Sequence, residues 1–157
     1  MQRGGYKLDF LSEQALLYTS KEYEQIYIHF NEKYKIKLHD LFLLFASIGA
    51  KNGKAVEFTG KGREMRTNYF NSDQRDLAYT IILNDELTGK DIDRFTDKDF
   101  FAEARKLLER YAQGGLIIIV EEVFKSRWNG VKLDEDYKDY EIDMLSYVYG
   151  SLNDVPF

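Results

Sequence analysis

The chain contains no cysteine among its 157 residues, which excludes disulfides, thiolate metal sites and a cysteine nucleophile. Proline occurs once, at Pro156, and so few breaks favour a helical protein, because helix interiors exclude proline. Histidine is nearly as scarce. His29 and His39 stand ten residues apart without an HExxH spacing, and each reads as a capping or surface residue rather than a ligand. No serine lies in a GxSxG elbow, which removes the α/β-hydrolase arrangement. Apolar runs are short: Leu116–Val120 is five residues, against the ~20 that a membrane-spanning helix needs. The opening residues, MQRGGYKLDF, lack the apolar run of a signal peptide, so a cytoplasmic location with no membrane partner is expected.

What is present is an ordinary globular composition, 44% hydrophobic and 31% charged, with twelve tyrosines and eleven phenylalanines. The length predicts a single domain over 1–157, with 1–18 loosely packed and 133–157 an acidic C-terminal helix. From Leu133 to Phe157 there are seven acids against the single base Lys138. That run reads as a solvated helix face, with a contact for a basic partner as the alternative.

Helical spacing recurs along the chain, and the fold class is mainly α: a compact domain of five to six helices. Thr19 and Glu22 are spaced as a capping box before Tyr23, Ile26, Tyr27, Phe30 and Tyr34. Leu38, Leu41, Phe42, Phe45 and Ile48 form a second stripe, closed by Gly49. Ser72 and Asp73 cap a third helix through Leu77, Ala78, Ile81, Ile82 and Leu87, with Gly89 at its end. A fourth starts at Thr96, with Asp99 in its first turn, and runs to the pair Gly114–Gly115. The last spans Asp136–Tyr149, with Tyr137, Tyr140, Met144, Leu145 and Val148 on one side. LIIIV at 116–120 suits a buried strand by its β-branching, yet Val123 and Phe124 continue it at helical spacing, and the helix is preferred. A small β-hairpin is expected near 55–66, with AVEF and the residues after Gly62 as its arms.

One segment stands out in an acidic chain of net charge −5. Gly49 to Arg66 carries Lys51, Lys54, Lys61, Arg63 and Arg66 against Glu57 and Glu64, with four glycines. A flexible basic loop between two helices is a candidate contact for DNA phosphate or an acidic partner. It is not a nucleotide-binding P-loop. Gly49, Gly53 and Lys54 make GxxxGKA, one residue short and without the hydroxyl that holds magnesium. Carboxylates offer no better chemistry. Neither Glu57 with Lys61 nor Glu122 with Lys125 has the spacing of a two-metal nuclease, and helix capping accounts for Asp97 and Asp99 beside Asp91 and Asp93. No cofactor or metal is expected, and no catalytic set is present. Trp128 beside Arg127 is a candidate partner anchor, with packing over the LIIIV element as the alternative.

Three blocks, KLHDLFLLFASIGAKNGK at 37–54, MRTNYF at 65–70 and LLERYAQGGLIII at 107–119, resemble a small accessory family of Dnd systems, the bacterial DNA phosphorothioation defence loci. The matching positions are Asp40, Phe42, Ala46, Gly49, Lys54, Arg66, Phe70, Tyr111, Ala112, Gly114 and Gly115. Arg110 departs from the pattern, where the family tends to carry glutamate, and so does the acidic tail from Asp134. The resemblance covers roughly 20–125 and implies a non-catalytic adaptor in anti-phage defence. Such an adaptor would bind a larger protein and contact the DNA backbone, and LIIIV would be helical. Two other readings stand beside it. One is a subunit completing an enzyme site in trans; the other is an acidic inhibitor, antitoxin-like, for a basic partner.

Overall fold

The computed structural model describes residue 11 and residues 15–85 and 97–153. Among them are five α-helices and one two-stranded antiparallel sheet, a mainly α fold. The chain order is β1 (Leu16–Ser20), α1 (Glu24–Tyr34), α2 (Leu38–Lys51), β2 (Lys61–Arg66), α3 (Ser72–Asn84), α4 (Lys98–Ile119) and α5 (Tyr140–Asn153).

The core is built around α2 and α4. Leu41, Phe42, Phe45 and Ala46 of α2 and Ala104, Leu107, Leu108, Leu116 and Ile119 of α4 are buried. Three glycines let the two backbones touch. A Cβ on Gly115 would lie 1.8 Å from the Phe45 carbonyl oxygen, and one on Gly114 would lie 1.9 Å from that of Lys54. Neither Gly49 nor the 114–115 pair therefore ends a helix, as the spacing had suggested; both are interior contact points. The end of α2 is made instead by Asn52 and by Gly53, whose φ of +63° suits glycine. α4 passes straight through its glycines and continues as a π-helical turn over 120–124, so the LIIIV element is helix. Burial on nearly every side from Tyr111 onward explains its run of apolar residues, which a one-sided helix would not show.

The sheet confirms one expected arm and replaces the other. β2 pairs with β1, in the register Leu17–Met65 and Tyr18–Glu64 with a bulge before Ser20, and not with AVEF. Residues 54–59 lie along α4 instead, held by the Val56 N–H donating to the Arg110 carbonyl at 2.9 Å. Thr19 is consequently a strand residue, not a helix cap. Its hydroxyl accepts the Arg63 N–H at 2.9 Å, standing in for a backbone acceptor at the bulge. α1 begins after Tyr23 without a side-chain cap. Of the segment expected to be loosely packed, Leu11 and Leu17 are fully buried.

Asn71, one residue before the expected caps, closes α3 in a reciprocal capping box with Gln74. Asp97 caps α4 by accepting the Asp99 N–H at 3.0 Å. Leu87, Gly89, Asp91, Asp93, Thr96 and residues 154–157 lie outside the described residues. α5 starts four residues later than its spacing suggested, because Asp134 accepts the Asp136 N–H and turns the chain there. Beneath it, Tyr140 is fully buried between Phe124 and His29, at ring-centre distances of 5.4 and 5.3 Å. Burial pushes the Tyr140 hydroxyl up to about 12, and burial also lowers His29, a half-buried member of this aromatic cluster.

Candidate functional site

The five basic residues of the Gly49–Arg66 segment do not form one loop. Lys51 is the last residue of α2, and its ammonium donates to the Ser151 carbonyl and hydroxyl at 2.7 and 2.8 Å, tying α2 to α5. Lys54 is half-buried, with its main chain against Gly114 and its ammonium 3.9 Å from Glu121. Lys61 and Arg63 are exposed on β2, as is Arg66 at its end. Among the described residues nothing pairs with the outer edge of that strand. The helical and extended parts of the segment have separated its charges into Lys51 and Lys54, beside Ser151 and Glu121, and Lys61, Arg63 and Arg66 on β2.

β2 also borders a cleft of about 350 Å³ between the sheet and α4, lined by Tyr18, Glu57, Phe58, Thr59, Lys61, Lys106, Glu109 and Arg110. Its geometry follows from the strand-to-helix contact. The Tyr18 N–H, turned away from β2, donates to Glu109 Oε2 at 2.8 Å and so docks β1 on α4. Lys61 lies over the Tyr18 ring with its ammonium 4.3 Å from the ring centre, a cation–π contact. Arg110 reaches Glu57 at 3.3 Å. Burial raises the Glu109 carboxyl above its ordinary value, and the Tyr18 N–H and the cations Lys61, Arg105 and Lys106 oppose that rise.

The cleft brings cationic, carboxylate and aromatic side chains together. Three cations face two carboxylates, and each carboxylate is already engaged, Glu57 by Arg110 and Glu109 by the Tyr18 N–H. No histidine lines the cleft. Tyr18 and Phe58 supply aromatic surface on which a flat group can rest. Among the described residues no group of three or more histidine, aspartate or glutamate side chains could hold a metal ion. No helix among them is long and apolar enough to cross a membrane.

Sequence reasoning missed Tyr18, Lys106, Glu109 and Arg110 as parts of one site, since they lie on β1 and α4, far along the chain from β2. The only local hint was Arg110, the position that departs from the resemblance. Trp128 packs its ring against Tyr23 at 5.5 Å and is half-buried at the edge of the core. Arg127 places its guanidinium 3.8 Å over the Tyr137 ring. Both are thus already in contact within the chain. Compared with protein families, curated proteins and solved structures, the chain finds no match.

Proposed function

We propose that this chain is a non-catalytic accessory protein that contacts an anionic partner, DNA backbone or an acidic surface, through β2 and the adjoining cleft. The observation that carries the reading is the run of exposed cations on β2, Lys61, Arg63 and Arg66 with Glu64 among them, of which Lys61 also lines the cleft with Lys106 and the Tyr18 and Phe58 rings. Lys51 and Lys54 leave the proposed contact, because they stand away from β2, Lys51 donating to Ser151 and Lys54 lying 3.9 Å from Glu121. A larger protein partner and a place in bacterial anti-phage defence, linked to DNA phosphorothioation, rest on the resemblance of the three blocks. In its support, Gly49, Gly114 and Gly115, three of the matching positions, meet at one helix crossing.

Three cations support only a few phosphate contacts, so binding is weak and salt-dependent, each contact contributing about 0.9 to the log–log salt slope. The test is fluorescence anisotropy with a labelled 20-bp duplex against Lys61→Glu, Arg63→Glu, Arg66→Glu in one chain. A tenfold or greater loss with an unchanged melting temperature is expected. Equal affinity for the two proteins would remove β2 from the contact.

A further inference from the structure

α5 carries two apolar stripes, one facing the core and one facing outward. The inner one, Tyr140, Met144, Tyr147 and Val148, is packed on the core. The outer one is Ile142, Leu145, Tyr149 and Leu152, whose relative exposures are 63, 55, 69 and 60%. At 100° per residue these four fall within roughly 80° of arc, a continuous seam along the helix. They make up most of the large apolar side chains exposed among the described residues, the others being Tyr69, Leu77 and Val131. Scattered apolar residues on a surface need no explanation, but a contiguous helical seam of this kind marks an interaction site.

The charge around the seam says what fits it. Glu141 borders it in the first turn of α5, and the approach to the helix exposes Asp134, Glu135, Asp136 and Asp139. Part of this acidity serves the N-terminal end of the helix dipole. Lys132 lies 3.9 Å from Glu135, and Lys138 donates to the Glu135 carbonyl, which leaves most of the acid end uncompensated. A helix with an apolar stripe flanked by lysine or arginine would bury the seam and neutralise the acid end together. A chain of net charge −5 meeting its own copy would gain less, since like charges accumulate.

We infer that the outer face of α5 is a docking surface for a basic amphipathic helix of a protein partner. This deepens the accessory-protein reading and rests on its claim that a protein partner exists; it shares no residue with the β2 contact. The probe is a synthetic 20-residue helix with leucines at i, i+3, i+4 and i+7 and lysines elsewhere, beside a control with glutamates for lysines. Binding of each to the full chain is read by fluorescence anisotropy. Micromolar binding of the lysine peptide, weakened by salt and at least tenfold weaker for Leu145→Gln, Tyr149→Gln, supports the proposal. Both substitutions are at exposed positions and keep helix formers, so circular dichroism and the melting temperature should not move. Equal binding of the glutamate peptide, or binding indifferent to the double substitution, overturns it. So does sedimentation showing a dimer that the double substitution dissolves, which would assign the seam to a second copy. The β2 charge-reversed protein should bind the lysine peptide at least as well as the original. Loss of DNA binding alone therefore leaves this face standing, and loss of peptide binding alone leaves the β2 contact standing.

Discussion

Gly49 of α2 lies against the backbone of Tyr111 in α4, so close that a Cβ at position 49 would sit 2.1 Å from the Tyr111 carbonyl oxygen. No side-chain rotation relieves a clash with main chain. Gly49→Ala must push α2 and α4 apart along the most buried contact of the fold, and a loss of about 3 kcal/mol is expected. Gly150 in α5 has nothing within 4 Å of its would-be Cβ, so Gly150→Ala should stabilise by about 0.5–1 kcal/mol. Urea denaturation of the two variants checks both signs, and equal effects would contradict the crossing geometry.

Thr19 is 2% exposed, and its hydroxyl is the acceptor for the Arg63 N–H at the bulge. Thr19→Val keeps the shape and removes the acceptor, leaving the part-buried Arg63 N–H without its partner at a cost of about 1 kcal/mol. Faster amide exchange at Arg63, measured by NMR, would accompany the loss. Retained protection at Arg63 would show that another group holds its N–H.

The Glu109 carboxyl is raised above its ordinary value of 4.5 by burial. A carboxyl that keeps its proton more readily when folded than unfolded stabilises the fold in its protonated form. That contribution is present at pH values below 4.5 and is lost as pH rises through the folded value. Glu109→Gln keeps an oxygen for the Tyr18 N–H without the charge. The variant should therefore be the more stable protein at pH 7, with the difference closing towards pH 4. A difference that stays constant in urea titrations across that range would remove burial as the cause.

Lys51 and Lys61 were equal members of one basic segment by sequence, and the structure assigns them different work. Lys51→Ala should leave duplex binding unchanged and speed amide exchange in the last turn of α5, where its ammonium now holds Ser151. The stability cost should stay below about 1 kcal/mol, because the contact is exposed. Lys61→Ala should do the reverse, weakening duplex binding about two- to fivefold with little change in α5. Identical phenotypes would mean that the segment acts as one loop.

Much of the helical architecture was legible because burial imposes a period. Ile26, Tyr27 and Phe30, and likewise Leu41, Phe42 and Phe45, recur as one buried face must, and the structure buries them. Helix ends were less legible. Glycine at 49 and 114–115 signals a stop by local preference, yet here it answers a contact between segments some sixty residues apart. β1 was invisible for a similar reason: Leu16–Ser20 precedes a helix, and its pairing with β2 is a long-range choice.

The candidate site divides along the same line. Lys61, Arg63 and Arg66 could be picked out from charge alone, since a net +3 segment in an acidic chain is a property of composition. That Lys51 bonds to Ser151 of α5 and Lys54 stands beside Glu121, while Lys106 and Glu109 join the strand, depended on how the helices pack. The outer seam of α5 shows the limit most clearly. Spacing put Leu145 on one side with Tyr140, Met144 and Val148, yet Leu145 is exposed while Tyr140 and Met144 are buried, and only packing decides which side the core covers. Amino-acid order by itself determined the periodic elements and the charge, because both are local sums. Tertiary structure decided which faces and which cations remain outside, because burial is a property of what each residue meets.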